Sequence, residues 1–260
     1  MRVEEVHERR AGWRVRTLAS RRWRSRVAAT SLLFACIALP SHAEPLLAID
    51  DLAWRVESSN DGITLYRATA RRGGVVPLKA TMTIRGTIEE VSLVLEDIPR
   101  RTEWISNLGQ SVLLERVNDY DQTEYLRVAV PWPVSDRSAL IRARITVSDD
   151  FGQATIAAQS VDVAAPDSLP KLVRAIVHTS TFQMTKVDDR VEVVALVFID
   201  PCGTIPKWIV NFFARRVARA TLGGLRRQVA RKLYSRPQIA AMHERMHAFR
   251  AFRERQLLTR

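Results

Sequence analysis

The sequence predicts an α+β fold in which a curved antiparallel sheet is covered by one long C-terminal helix. Three observations lead there. From Asp51 to Asp200 apolar residues recur mostly at every second position, the period of a half-buried strand. The runs are long and joined by short polar turns, so a meander of hairpins is the economical topology. Beyond Pro201-Cys202-Gly203 the period becomes helical and stays so to about Tyr234. The 260 residues, 47% of them apolar, suffice for one generous domain.

Residues 1–43 read as a signal peptide. Arg21-Arg22-Trp23-Arg24-Ser25-Arg26 is a positive opening, and Val27 to Leu39 is a short apolar run broken by Pro40. Ser41-His42-Ala43 puts small residues ahead of a cleavage point before Glu44. Such a leader predicts a periplasmic or secreted protein. The mature chain keeps one cysteine, Cys202, so it has no internal disulfide and rests on packing.

The elements follow in order. Trp54–Ser59 and Ile63–Arg71 flank Asn60-Asp61-Gly62, a hairpin turn. Pro77–Arg85 is a third strand with Ala80, Met82 and Ile84 on one face. Thr87 caps a helix whose stripe is Ile88, Val91, Leu95 and Ile98, ended by Pro99. Ser111–Val117 pairs with Thr123–Val130, Ala139–Val147 with Gln153–Val161, and Ile176–Val187 with Val191–Ile199. In the strand after Arg137, Ala139, Ile141, Ala143 and Ile145 share one face and Arg142 and Arg144 the other. On the long helix Ile209, Phe213, Val217, Leu225 and Val229 keep roughly one side, and Arg215, Arg216, Arg219, Arg226, Arg227 and Arg231 the other. Gly223-Gly224 interrupts it, marking either a close approach of backbone or a point of bending. The domains are then a leader (1–43), one binding domain (44–235) and a basic amphipathic helical extension (236–260). The extension has three open outcomes: packed on the domain, lying on a membrane, or mobile.

The formal charge of +12 is distributed unevenly. Residues 1–43 carry a net +6 and residues 207–260 a net +12, whereas residues 44–206 carry −6. An acidic body behind an export leader argues against a nucleic-acid partner. An anionic membrane surface met through Arg215, Arg216, Arg219, Arg226 and Arg227 is the alternative to a merely solvated face.

Four blocks carry a family resemblance. They are Asp61-Gly62-Ile63-Thr64-Leu65-Tyr66, Asp97-Ile98-Pro99-Arg100-Arg101-Thr102-Glu103-Trp104, Pro131-Trp132-Pro133-Val134-Ser135-Asp136-Arg137 and Asp200-Pro201-Cys202-Gly203-Thr204-Ile205-Pro206-Lys207-Trp208, with Asn211 following. In order and spacing they resemble the START lipid-transfer family over about residues 48 to 235. The resemblance implies a helix-grip fold around a hydrophobic tunnel closed by the C-terminal helix. It also implies an apolar ligand such as a sterol, phospholipid or sphingolipid, usually bound without chemistry. Two departures stand out: Ser138 follows Arg137 where the family has Asp, and Ala143 stands where sterol-binding members place an arginine opposite an acid. Glu124 falls near that acidic position, so a sterol-type pair looks incomplete.

The expected ligand-binding residues are Glu124, Leu126, Val128, Arg137, Ile141, Ala143, Phe182, Met184, Ile209 and Phe213. Glu124 alternates with Leu126 and Val128, so it is either a polar anchor inside the tunnel or a group at the strand's wet end. Arg137 either touches ligand or ties its turn to Asp97, Asp136 or the helix around Trp104. Trp104 and Trp132 read as packing residues. No cofactor and no metal are expected. His243-Glu244-Arg245-Met246-His247 matches the zinc-peptidase spacing, but the 13 residues after it offer no His, Asp or Cys as third ligand. A polyketide cyclase or aromatase of the same broad fold is the enzymatic alternative; its inward titratable groups would be Glu124 and His178.

Overall fold

The computed structural model describes residues 52–69, 74–132 and 134–258, with the side chains of 257 and 258 left aside. The leader, Arg71 and Pro133 lie outside the described residues. Ten strands form one sheet: β1 (Trp54–Asn60), β2 (Ile63–Ala68), β3 (Leu78–Arg85), β4 (Leu108–Asn118), β5 (Asp121–Val128), β6 (Arg137–Val147), β7 (Gln153–Ser160), β8 (Val173–Arg174), β9 (Ile176–Val187) and β10 (Arg190–Asp200). The helices are α1 (Ile88–Glu96), α2 (Lys207–Ala230) and α3 (Arg236–Leu258), with a 3-10 turn at Ile98–Glu103. Helix α1 ends at Glu96, just ahead of Pro99 as expected, and Pro99 belongs to the separate 3-10 segment. It sits in the first turn of the 3-10 segment, where its missing N–H costs nothing.

The strand order is β1-β2-β3-β10-β9-β7-β6-β5-β4, antiparallel throughout except for β8, which pairs parallel with β6. The turns obey local chemistry. Asp61 and Gly62 take φ of 53° and 68°, as a two-residue hairpin demands. Thr87 and Glu90 form a reciprocal capping box at the start of α1. Because the sheet is antiparallel, its two ends differ. One end gathers the β1–β2, β4–β5, β6–β7 and β9–β10 turns. The other holds the β5–β6 loop, the 161–175 connection and the start of α2.

Helix α2 runs between these ends over the inner face, and its two halves differ. Leu222, Gly223, Gly224, Leu225, Gln228 and Val229 are buried, while no residue from Lys207 to Thr221 is fully buried. At Gly224 a Cβ would stand 2.2 Å from the Trp104 carbonyl oxygen, so only glycine lets the two backbones meet. Close approach, not bending, explains the glycine pair. The inward side also differs from the expected one: Ile209 lies about 160° round the helix from Leu225 and is only half-buried.

Helix α3 packs on the domain at the hairpin-turn end. Met242, Met246 and Phe249 are buried in the main core, together with α1 residues and Tyr120 of the β4–β5 turn. The Tyr120 and Phe249 rings meet edge-on at 5.0 Å, and the Tyr120 hydroxyl donates to the Arg245 carbonyl at 2.7 Å. Arg245 pairs with Glu96, Arg253 with Asp149 at 2.6 Å and His243 Nδ1 with Glu89 at 2.8 Å. Burial pushes the Glu96 carboxyl up despite Arg245. Burial also pulls Glu89 upward, but its hydrogen bond with His243 and backbone contacts outweigh that and leave it lowered.

Two outcomes test this packing. Gly224→Ala is expected to cost about 2 kcal/mol or more by forcing the helix off Trp104, whereas Gly223→Ala, whose Cβ meets its nearest neighbour at 3.4 Å, is expected to be neutral or stabilising by up to about 1 kcal/mol. Urea unfolding of the pair measures the difference. Phe249→Ala is expected to cost about 3–5 kcal/mol in the same assay, as removal of a buried aromatic does elsewhere. An effect below about 1 kcal/mol would mean that α3 is not part of the core.

Candidate functional site

The pairing register places the expected strand residues on one wall. Glu124 stands opposite Ile141, Leu126 opposite Ala139, Val128 opposite Arg137, and Ala143 between Gln122 and Ala158. Ile156 stands opposite Phe182 and Ala154 opposite Met184. Arg142 and Arg144 face the other way, where both bind Asp121, at 2.6 and 3.1 Å. Burial raises the Asp121 carboxyl, but the hydrogen bonds and charge of the two arginines more than offset it. His178 stacks on Phe198 at 4.5 Å. Phe198 shares a face with Leu196 by alternation, away from Ala195 and Val193, so His178 lies off the inner wall.

Glu124 is not at a wet strand end: its exposure is 0%. Its partner is Arg101 of the 3-10 turn, whose Nη1 donates to Oε2. Gln122 Nε2 donates to the other oxygen, Oε1, at 2.6 Å, and Arg101 Nε donates to the Leu95 carbonyl at 2.9 Å. The acid therefore has its arginine after all, supplied from outside the strand where the family pattern places it. Arg101 is 8% exposed, and a small, partly open cavity of about 10 Å³ adjoins it, walled by Gln122, Ala143, Ile145, Ile156 and Tyr120 with Asp119 and Asp121 at its edge. That is room for one water. The larger depression, about 440 Å³, is an open groove on the outside between α1 and α3, beside Glu89 and His243. It belongs to a different part of the molecule.

The inner wall carries two separate apolar clusters. The main one fills the half nearer the hairpin turns; there Met184, Val191 and Val193 have no exposed surface. Met184 also accepts a long hydrogen bond from Ser92 of α1 at 3.6 Å, so it is filled core. The second cluster is Ala139, Ile141, Ala143, Ala158 and Val177, with Leu126 and Ile199 against it. Here the wall stays partly open: Leu126, Val128, Ser180, Phe182 and Ile199 are half-buried, as are Val210, Phe213 and Val217 of α2.

Arg137 is buried, but its partners differ from those expected. Nε donates to the Pro201 carbonyl at 2.8 Å, Nη2 to the Cys202 carbonyl at 3.3 Å and Nη1 to the Ser135 carbonyl at 2.6 Å. It ties the β5–β6 loop to the leader of α2, not to Asp97 or the turn at Trp104. Trp104 is buried at 5%, whereas Trp132 is 92% exposed and packs on nothing. Trp208 at 73% and Phe212 at 52% are exposed on the first turns of α2, and Val173 and Ile176 are exposed at the same end of the sheet. The arginines expected to meet a membrane are largely engaged. Arg215 pairs with Glu57 at 2.7 Å, Arg219 donates to the Asn60 carbonyl at 3.2 Å and Arg226 to the Asp61 carbonyl at 2.7 Å; Arg216 and Arg227 are exposed. His247 stacks on Phe151 at 3.8 Å and His243 is taken by Glu89. Among the described residues no three His, Cys, Asp or Glu side chains converge to hold a metal, and no helix is long and apolar enough to cross a membrane.

Comparison with known proteins bears on the same region. Residues 46–232 match the sequence model of the START domain. An uncharacterized protein of Pseudomonas aeruginosa is 24% identical over 179 residues, 66% of this chain and 85% of that one. The solved structure of a STAR-related lipid transfer protein from Xanthomonas axonopodis superposes with a TM-score of 0.61 at 25% identity, over 68% of this chain and 98% of that one. Human StAR-related lipid transfer protein 5 gives 0.64 at 17% identity, over 72% and 90%. Helix α3 begins beyond the matched residues.

The buried pair yields its own test. Arg101→Met strands a carboxylate in the wall and is expected to cost about 3–5 kcal/mol, while adding Glu124→Leu to it is expected to recover part of that loss. Thermal unfolding of the two variants decides; a double variant no more stable than Arg101→Met would mean that the pair is not closed off from water.

Proposed function

The chain belongs to the START domain family, and on that premise we propose that it holds a hydrophobic, lipid-like molecule between the second apolar cluster and the N-terminal half of α2, as a carrier or sensor and without chemistry. The observation that carries this is the mismatch between the halves of α2. Val210, Phe213 and Val217 of α2 keep open surface, and so do Leu126, Ser180 and Ile199 of the inner wall, although apolar groups in a closed core lose it. An apolar guest filling that space gains about 25 cal/mol for each Å² it removes from water. The likeness to solved lipid-transfer proteins supports the same class of ligand.

The polar end of the guest has one place to be read. Arg101, Glu124 and Gln122 form the polar group of the inner wall, and the pair is neutral as a unit. It suits an uncharged hydroxyl or carbonyl better than an ion, which would meet an uncompensated opposite charge only by breaking the pair. Both Glu124 oxygens are already occupied, which fits holding better than proton transfer. From Glu124 to the rim at Val128 the wall spans four residues, about 13 Å, and this is the depth available to the apolar body.

Exchange with a lipid surface is assigned to the end where α2 begins. Trp132, Trp208 and Phe212 stand exposed there, and tryptophan side chains settle at membrane interfaces. Lys207 lies beside them in sequence. The arginine flank of α2 is mostly spent on β1 and β2, so it adds less than its sequence implied. The location in the cell envelope rests on the pattern of residues 1–43, and nucleic acid has no part in the reading.

The test is gentle purification of the mature protein, organic extraction and mass spectrometry. A reproducible lipid near one per chain is the expected result; an empty protein that turns over a small substrate would reverse the reading. Ser180→Phe, which fills the open part of the wall, is expected to lower the extracted lipid at least about tenfold while unfolding at nearly the native temperature.

A further inference from the structure

The two flanks of α2 are held in opposite ways, and this locates the path of a ligand if the internal site proposed above exists. At about 100° per residue, Arg215, Arg219 and Arg226 share one flank and Val210, Phe213 and Val217 the other. The arginine flank is stapled along its length. Arg215 holds Glu57 at 2.7 Å, Arg219 reaches the Asn60 carbonyl and the Ser58 hydroxyl, and Arg226 holds the Asp61 carbonyl at 2.7 Å. One turn before Arg215, Asn211 donates to the Gly74 carbonyl and accepts from the Val76 amide, both at 3.2 Å. At the far end Gly224 lies against the Trp104 backbone. A helix fastened at its first turns, its middle and its end does not swing as one piece.

The other flank is apolar and half-open. The 161–175 connection reaches the leader of α2 at Gly203, where a Cβ would lie 4.0 Å from Val173 Cγ1. The connection carries little regular structure beyond β8, and Val163, Val173 and Ile176 in and beside it are exposed. Its links to the sheet are few: the register pairs of Arg137 with Val173 and Ser138 with Arg174, the Ala175 and Val161 amides on β6 carbonyls at 2.7 and 3.0 Å, and the Tyr125 hydroxyl, which donates to the Pro170 carbonyl at 3.3 Å. Side chains that have left water on neither side of a seam, with few hydrogen bonds across it, part at low cost.

We propose that α2 stays fixed while the ligand is exchanged, and that the ligand passes between the apolar flank of α2 and the 161–175 connection, which moves aside. The C-terminal helix is then a permanent wall rather than a door.

Two disulfides in the full chain carrying Cys202→Ser separate the alternatives. Gly74→Cys with Lys207→Cys staples the first turn of α2 to the β2–β3 connection; a Cβ at Gly74 lies 3.5 Å from Lys207 Cβ, within the about 3.5–4.5 Å that a disulfide spans. Val173→Cys with Gly203→Cys closes the proposed seam. The readout is the release rate of an environment-sensitive anilinonaphthalene sulfonate dye in stopped flow, each protein compared oxidised and reduced. The first staple is expected to change release by less than about twofold and the second to slow it at least about tenfold. Slowing by the first staple, alone or together with the second, or by neither, would overturn the proposal. Arg215→Ala with Arg219→Ala gives an answer without any disulfide: a wall predicts unchanged release, a door predicts release about tenfold faster. Native protein that takes up neither dye nor lipid fails earlier, before any staple is made, and removes the internal-site reading and this inference together.

Discussion

At Gly224 the backbone of α2 touches the backbone of the 3-10 turn at Trp104, and that contact sets the tilt of everything else on the inner face. A helix drawn in so far at one point can bury its neighbours there: Leu222, Leu225 and Val229 reach the sheet and close the main core. Nearer its start the arginine flank is still fastened, through Asn211 and Arg215, but the opposite flank is less closed: Val210, Phe213 and Val217 are only half-buried. The open flank and the closed end belong to one helix, so the site proposed for a guest depends on a residue far from it.

The 3-10 turn that receives Gly224 also supplies Arg101. The two jobs are linked, because the turn that lets the helix in is the one that carries a guanidinium down to Glu124. An isolated buried carboxylate costs several kcal/mol, and a paired one still contributes little net stability. Keeping such a pair in an apolar wall makes physical sense where a polar end has to be met. It also fixes the turn, since Arg101 is bonded at once to Glu124 and to the Leu95 carbonyl.

Much of this was legible in the sequence, and the residues show why the rest was not. Alternation of Ala139, Ile141, Ala143 and Ile145 against Arg142 and Arg144 gave the face of β6 correctly, because period two admits no second solution for a one-sided sheet. The Asn60-Asp61-Gly62 turn and the Thr87 cap are local events decided within four residues. The partner of Glu124 was not legible: Arg101 lies 23 residues away on another element, and the only signal was its place three residues before Trp104 in a motif read as a helix segment. Trp132 was read as packing from its residue type alone, although nothing in its neighbourhood offered it a surface. Met184 and Phe182 alternate on the same strand, and periodicity cannot say that one is fully buried under α1 and the other only half-buried at the edge of the same core. The family likeness adds the fold but stops before α3, whose burial of Met242, Met246 and Phe249 came only with the coordinates.

The charge asymmetry has a different meaning in the folded chain. A basic tail and an acidic body suggest an external anionic partner, yet the two are in part each other's partners. Arg215 meets Glu57, Arg231 meets Glu103, Lys232 meets Glu90, Arg245 meets Glu96 and Arg253 meets Asp149. Surface pairs of this kind add little stability one by one, but in series they fix where two helices lie on a sheet whose edge they must find. The lipid surface proposed above would then meet a helix whose arginines are in part already matched, with Arg216 and Arg227 exposed. Exposed at the rim are also the aromatic side chains of Trp132, Trp208 and Phe212, and insertion of rings into an interface is far less sensitive to salt than attraction of arginines to head groups.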